Sequence, residues 1–177
     1  MKKVFQKSEE VVELFVRGSQ NEARSRNIYF DNLDKIYSYG SHYLLAKKLK
    51  YRVIMINDVG YSKTTRKHIT QITRASFGWK QFFKSETSLE LVYDSIIENT
   101  KKLRKARKPE LYTNKILMLW EKLNKYLDFS GDMYARSNNM YLEIKNIVES
   151  ILLDEKKEEL QDDEITEMKE LQIIMMN

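Results

Sequence analysis

The hydrophobic positions change period along this chain, and the changes divide it into elements. Ser8 followed by Glu9-Glu10-Val11-Val12-Glu13-Leu14-Phe15-Val16 predicts a short helix, with Ser8 as its cap, acids in its first turn and Gly18 as its stop. From Asn27 to Asn57 the period shortens. Ile28-Tyr29-Phe30, Ile36-Tyr37-Ser38-Tyr39, Tyr43-Leu44-Leu45-Ala46 and Tyr51-Arg52-Val53-Ile54-Met55-Ile56 are brief aromatic and β-branched runs. Asn32-Leu33-Asp34, Gly40-Ser41-His42 and Lys47 to Lys50 lie between them as turns. Connections this short favour antiparallel neighbours, so the expectation is a four-stranded meander.

Asp58-Val59-Gly60 ends the last strand, and a helix is expected from Ser62 or Thr64 to about Ala75. Ile69 and Ile72, with Thr65 and Ser76, share one side of it; Lys63, Lys67, Thr70 and Arg74 share another. Phe77, Trp79, Phe82 and Phe83, with Gly78 among them, read as a packed connector. A regular helical period then returns. Ser88 is expected to cap a helix with the stripe Leu89, Val92, Tyr93, Ile96, Ile97, Thr100 and Leu103, ended by Pro109. A second runs from about Glu110 to Asp128 through Tyr112, Ile116, Leu119, Trp120, Leu123 and Leu127, and Ser130-Gly131 breaks it. The last begins near Asp132, with Met140, Ile144, Ile147, Ile151 and Leu152 on one face. The spacing 140, 144, 147, 151 fits a heptad seam over few repeats, which keeps a homodimer through the late helices open. The fold class is α+β: a short N-terminal helix, a four-stranded antiparallel meander plus helix, then two or three longer helices. The expected division is a small α+β domain over 1–87 and a helical region over 88–177 packed on it, with an acidic segment from about 154.

Composition narrows the function classes. Only five Gly and one Pro in 177 residues argue against a turn-dense sandwich. The absence of cysteine excludes disulfides, thiolate nucleophiles and cysteine-ligated zinc. No apolar run follows the charges of Met1 to Lys7, and no stretch is long and apolar enough to span a bilayer, so a cytoplasmic protein is expected, with no membrane partner. Charge is uneven. Residues 1–108 carry 23 Lys and Arg against 11 Asp and Glu, a balance of +12; residues 109–177 carry 8 against 15, a balance of −7. A basic front suggests a polyanionic or acidic partner. The plainer reading is that the two halves attract each other.

Candidate chemistry is sparse. Both histidines sit in polar, aromatic stretches: Tyr37-Ser38-Tyr39-Gly40-Ser41-His42 and Gly60-Tyr61-Ser62-Lys63-Thr64-Thr65-Arg66-Lys67-His68. General acid–base work by His42 and His68, oriented by Asp31 or Asp58, is the enzymic reading. Imidazoles bonded to turn backbone are the structural one, and it weighs more. Two histidines and scattered carboxylates give no metal spacing, and no cofactor is implied. In the second stretch a glycine turn opens a helix bearing Ser62, Thr64 and Thr65 beside Lys63, Arg66 and Lys67, an arrangement suited to anions, or simply a cap. Lys101, Lys102, Arg104, Lys105, Arg107 and Lys108 put six cations in eight positions. With Lys63, Arg66, Lys67 and Arg74, and with Lys47, Lys48 and Lys50 nearby in sequence, they form the candidate nucleic-acid or partner surface. Tyr37, Tyr39 and Tyr43 offer stacking rings, half or more of them expected in the core.

The spacing of Tyr37-Ser38-Tyr39-Gly40-Ser41-His42, Ala46, and Gly60-Tyr61-Ser62-x-Thr64-Thr65-x-x-His68 resembles an uncharacterised small domain of phage and mobile-element proteins, over roughly residues 27 to 76. The resemblance carries no reaction and no catalytic residue. It implies a phage setting, in which small proteins often inhibit host defences and some resemble anti-CRISPR proteins that bind Cas9. The expectation is therefore a phage-derived inhibitor of a host nucleoprotein defence complex, binding a CRISPR effector or its nucleic acid without catalysis. The alternatives are a stand-alone DNA- or RNA-binding accessory protein and an enzyme acting through the two histidines.

Overall fold

A computed structural model, describing residues 3–60 and 62–156, shows the first amphipathic stretch as helix α1 (Ser8–Arg17). Its buried face is Val11, Val12, Phe15 and Val16, and Gly18 ends it in the left-handed conformation, φ 66°. Ser8 is the first helical residue rather than the cap. Lys7 holds the cap position, and its backbone N–H donates to the Glu10 carboxylate at 3.3 Å.

The sheet has six strands in sequential order: β1 (Ala23–Ser25), β2 (Ile28–Phe30), β3 (Lys35–Ser38), β4 (Tyr43–Lys50), β5 (Val53–Ile56) and β6 (Lys80–Phe83). The four central strands are the expected meander, antiparallel throughout. The connector around Phe82 is corrected to a strand: β6 pairs parallel with β5, returning through helix α2 (Lys63–Ala75) in a β-α-β crossover. Lys47 to Lys50 is also not a turn. Strand β4 continues through Lys50, and Tyr51-Arg52 makes the reversal. At the far edge the backbone of Lys3 and Phe5 bonds Arg24 at 2.8 Å on both sides, covering the open edge of β1.

Alternation explains the burial. Ile28 and Phe30, Ile36 and Ser38, and Ile54 and Ile56 point to the side covered by α1 and α2, where they meet Phe15, Leu45 and Ile72. The Phe15 and Phe30 rings lie 5.5 Å apart. Burial of this apolar set, at about 25 cal/mol per Å² removed from water, is the main force holding both helices on the sheet. A short helix α3 (Lys84–Thr87) closes the first of two compact units, Met1–Ser88 and Leu89–Asn177. Ser88 therefore follows α3 as its C-cap.

The described residues of the second unit form helices α4 (Leu89–Leu103), α5 (Glu110–Ser130), α6 (Met133–Arg136) and α7, residues 139–156. Helix α4 stops before Pro109, which instead opens α5 with φ −60°. The last stretch is interrupted after the Asp132-capped α6, so the core face of α7 is Tyr141, Ile144 and Val148, while Met140 and Leu152 are exposed. Ile144, Ile147 and Ile151, read as a seam, pack into this unit's own core with Val92, Ile96, Ile116, Leu119 and Leu123. Tyr141 ties α7 to α5, its hydroxyl donating to Asn124 at 2.7 Å and its ring 4.9 Å from Trp120. Most of the acidic segment from about 154 lies outside the described residues. Among the described residues no helix is long and apolar enough to cross a membrane.

Candidate nucleic-acid and partner interface

The two histidine-bearing stretches meet beneath α2. Ser38 Oγ and His68 Nδ1 lie 2.9 Å apart, with the two residues 0% and 3% exposed. Tyr39 (φ 53°) and Gly40 (φ 76°) turn the chain out of β3, and the Tyr43 hydroxyl crosses to the Asn57 carbonyl at 3.0 Å. At Gly60 a Cβ would lie 3.0 Å from Ile69 Cδ1, 3.4 Å from Thr65 Cγ2 and 3.7 Å from Tyr43 Oη, so a side chain there would crowd the underside of α2. Ser62 accepts the Thr65 N–H at 3.1 Å and shares a 2.7 Å contact with the Thr65 hydroxyl. Of the residues that suggested an anion cradle, Ser62 and Thr65 thus form a helix cap. Tyr61 lies outside the described residues. Glycine, serine, threonine and histidine are spaced here to clamp α2 onto the sheet.

The histidines are chemically separate. His68 is pushed below its usual pKa by burial first, then by Lys67, with Glu9 opposing. Neutral imidazole can pair with the Ser38 hydroxyl without leaving a buried charge. His42 is exposed in the short turn Gly40–His42. The Asp58 carboxylate accepts the Ser85 N–H at 2.9 Å and the Ser85 hydroxyl, fixing the start of α3. Asp31 accepts the Asn32 side-chain amide at 3.4 Å. Among the described residues no three His, Asp or Glu gather as metal ligands.

The outward face of α2 is different. Lys63, Arg66, Lys67 and Arg74 are all exposed, and the helix contains no acidic residue. A groove of about 610 Å³ separates α2 from α1, with Val12, Val16 and Ala75 among its lining, Glu9, Glu13 and Arg17 on the α1 side and Lys67 and Arg74 on the α2 side. Lys67 pairs with Glu9 at 3.5 Å, and Gln71 donates to the same carboxylate at 2.6 Å. That carboxyl is held below its usual pKa, first by a bond to its own backbone N–H; burial opposes this, and the Lys67 charge adds to it. Among the described residues Lys63, Arg66 and Arg74 form no ion pair, so three of the four cations meet solvent directly.

The run 101–108 sits in the second unit. Lys101 and Lys102 close α4, where cations suit the negative helix end, and Arg104, Lys105, Arg107 and Lys108 lie in the connection to α5. Lys102 is paired with Glu98 one turn back. With Lys101, Lys105, Ala106 and Tyr112 these two border a hollow of about 410 Å³.

Of the candidate stacking rings, Tyr43 is core at 9% exposure; Tyr37 stacks on Tyr29 at 5.3 Å on the face of the sheet opposite α1 and α2, and Tyr39 is exposed. A cationic group went unseen in the sequence. Arg17, Lys48, Lys50 and Arg52 border one hollow of about 650 Å³ with Leu33, Tyr51 and Trp79. Lys48 and Lys50 stood out as part of a general basic field, but Arg17 joins them only through the packing of α1, and Arg52 only through the turn at Tyr51-Arg52.

Compared with known proteins, the chain matches no family model, no curated protein and no solved structure.

Proposed function

We propose that this chain works by binding, as a phage-derived inhibitor of a host nucleoprotein defence complex, with a CRISPR effector of the Cas9 kind as its target. The observation that carries the binding half is the outward face of α2: four exposed cations and no acid on a helix whose opposite face is locked to the sheet. Charges held on a rigid element lose little freedom on meeting a phosphate backbone or an acidic surface, and counterion release adds to the affinity. The defence-inhibitor half is supported by the resemblance of residues 27 to 76 to a phage domain. On this reading the protein acts in the host cytoplasm without a cofactor, and the 101–108 run adds a second, looser contact.

The test is a pull-down against candidate effectors with and without guide RNA, repeated with Lys63, Arg66, Lys67 and Arg74 all changed to Gln. Retention of an effector by the unmodified chain and its loss from the variant would support the proposal. Retention of bare nucleic acid alone would favour a stand-alone nucleic-acid-binding protein, for which the hollow around Lys50 and Arg52 is the specific observation.

A further inference from the structure

The hollow at the β4–β5 turn combines three things that seldom share one place by accident of surface charge. It is concave, at about 650 Å³, within the range of roughly 300–1,000 Å³ that holds small organic ligands. Its four charged lining residues are Arg17, Lys48, Lys50 and Arg52, all cations. Two aromatic rings border it: Trp79, half-buried in the wall, and Tyr51 at the tip of the turn, 87% exposed. The acids that act on these cations sit outside the lining. Glu13 pairs with Arg17 at 3.6 Å, and Asp34 acts on Lys48.

The cations are held in different ways. Lys48 is fixed: its ammonium donates to the Phe15 carbonyl at the end of α1 and lies 4.5 Å from the Phe15 ring centre and 5.9 Å from that of Trp79. The carbonyl takes one of its three N–H donors. Gly18 lies against it, where a Cβ would come within 3.8 Å of Lys48 Nζ. Arg52 is held at backbone cost. Its φ is 53°, a conformation that glycine or asparagine adopts more cheaply, and its guanidinium stands 5.6 Å from the Tyr51 ring centre. A glycine at this turn would relax the backbone and lose only the side chain.

We propose that this hollow binds a nucleotide unit, with its phosphate among Arg17, Lys50 and Arg52 and its base against Tyr51, and that its source is single-stranded nucleic acid. A base inside a duplex has no free face to offer an aromatic ring, whereas an unstacked base does. The inference goes beyond the α2 surface and uses none of its four cations, although Arg17 also lines the groove between α1 and α2.

The test is fluorescence anisotropy of the full chain with a short labelled oligothymidine, the same strand in duplex, and thymidine monophosphate as competitor, each over a salt series. Tyr51→Ala is expected to weaken single-strand binding roughly 10-fold while leaving duplex binding unchanged. Arg52→Gly is expected to weaken it as well and to leave the melting temperature equal or higher, an outcome that a purely structural arginine would not give. Both effects should persist when the four α2 cations are changed to Gln, which separates this site from the proposed partner surface. Displacement by the monophosphate at the same concentration as the strand would assign the site to free nucleotides, with the same chemistry. Equal affinity for strand and duplex, no binding of any probe, or full affinity in Tyr51→Ala would overturn the proposal.

Discussion

The two faces of α2 invite comparison because one helix carries both. The inward face, Thr65, His68, Ile72 and Ser76, is buried and each polar residue on it has a hydrogen-bond partner: His68 Nδ1 with Ser38, Thr65 with Ser62, and the Ser76 hydroxyl with the Ile72 carbonyl at 2.8 Å. The outward face is Lys63, Arg66, Lys67, Thr70 and Arg74, lined with cations that reach solvent. The inward face holds the most distinctive residues of the sequence and they fix a fold. The outward face holds ordinary lysines and arginines, and it is the surface we propose for a partner. Distinctive spacing marked the place where α2 packs on the sheet, and the neighbouring, less distinctive positions became the candidate for binding.

If that division is right, substitutions on the two faces separate stability from affinity. The largest expected effect is inward. Ile72→Ala, at a fully buried site, should cost about 3 kcal/mol in denaturant unfolding. Its affinity for partner or nucleic acid should stay unchanged under conditions where it is folded. His68→Ala should cost about 2 kcal/mol, since it leaves the buried Ser38 hydroxyl without its partner.

The His68 contribution should also depend on pH. Its folded pKa lies below the ordinary value of 6.5, so the unfolded chain binds the extra proton first. Stability from this site is complete above that ordinary value, falls as pH drops below it towards the folded pKa, and levels off beneath that. Unfolding free energies measured across this window should show the fall in the native chain and lose it in His68→Gln.

Smaller effects are expected outward. Lys67→Gln breaks an exposed pair with Glu9 and should change stability by no more than about 0.5 kcal/mol. Neutralising Lys101, Lys102, Arg104, Lys105, Arg107 and Lys108 should weaken partner binding less than neutralising the four α2 cations, despite removing more charge. Those residues lie at a helix end and in a connection, and Lys102 is already paired. An equal or larger loss from the 101–108 variant would move the main interface to the second unit.

How much of this was legible depended on whether the signal was local. Ile28-Tyr29-Phe30, Ile36-Tyr37-Ser38 and Val53 to Ile56 announced strands because alternation over a few residues is written in the sequence itself. Ala23-Arg24-Ser25 has no strand propensity and becomes β1 because the chain around Lys3 to Phe5 and β2 pair with it on either side. Lys80 to Phe83 is a strand because β5 lies beside it, a pairing no local period reports. The reversal at Tyr51-Arg52 was hidden because neither residue is a usual turn former. Its concealment also hid the grouping of Lys48, Lys50 and Arg52 with Arg17. On α2 the two faces could be separated from period alone, but the Ser38–His68 bond joins residues thirty positions apart and needed the fold.

The most direct test is the salt dependence of binding by the full chain, measured against an effector–guide complex, for the native protein and for the variant with Lys63, Arg66, Lys67 and Arg74 changed to Gln. With both proteins melting at the same temperature, the variant should bind more weakly at low salt. Its plot of log affinity against log salt should be shallower by about 0.9 for each phosphate that the variant no longer neutralises. Identical affinity and slope for the two proteins would contradict a binding role for this face, and would leave α2 as a helix whose only role is to cover the sheet.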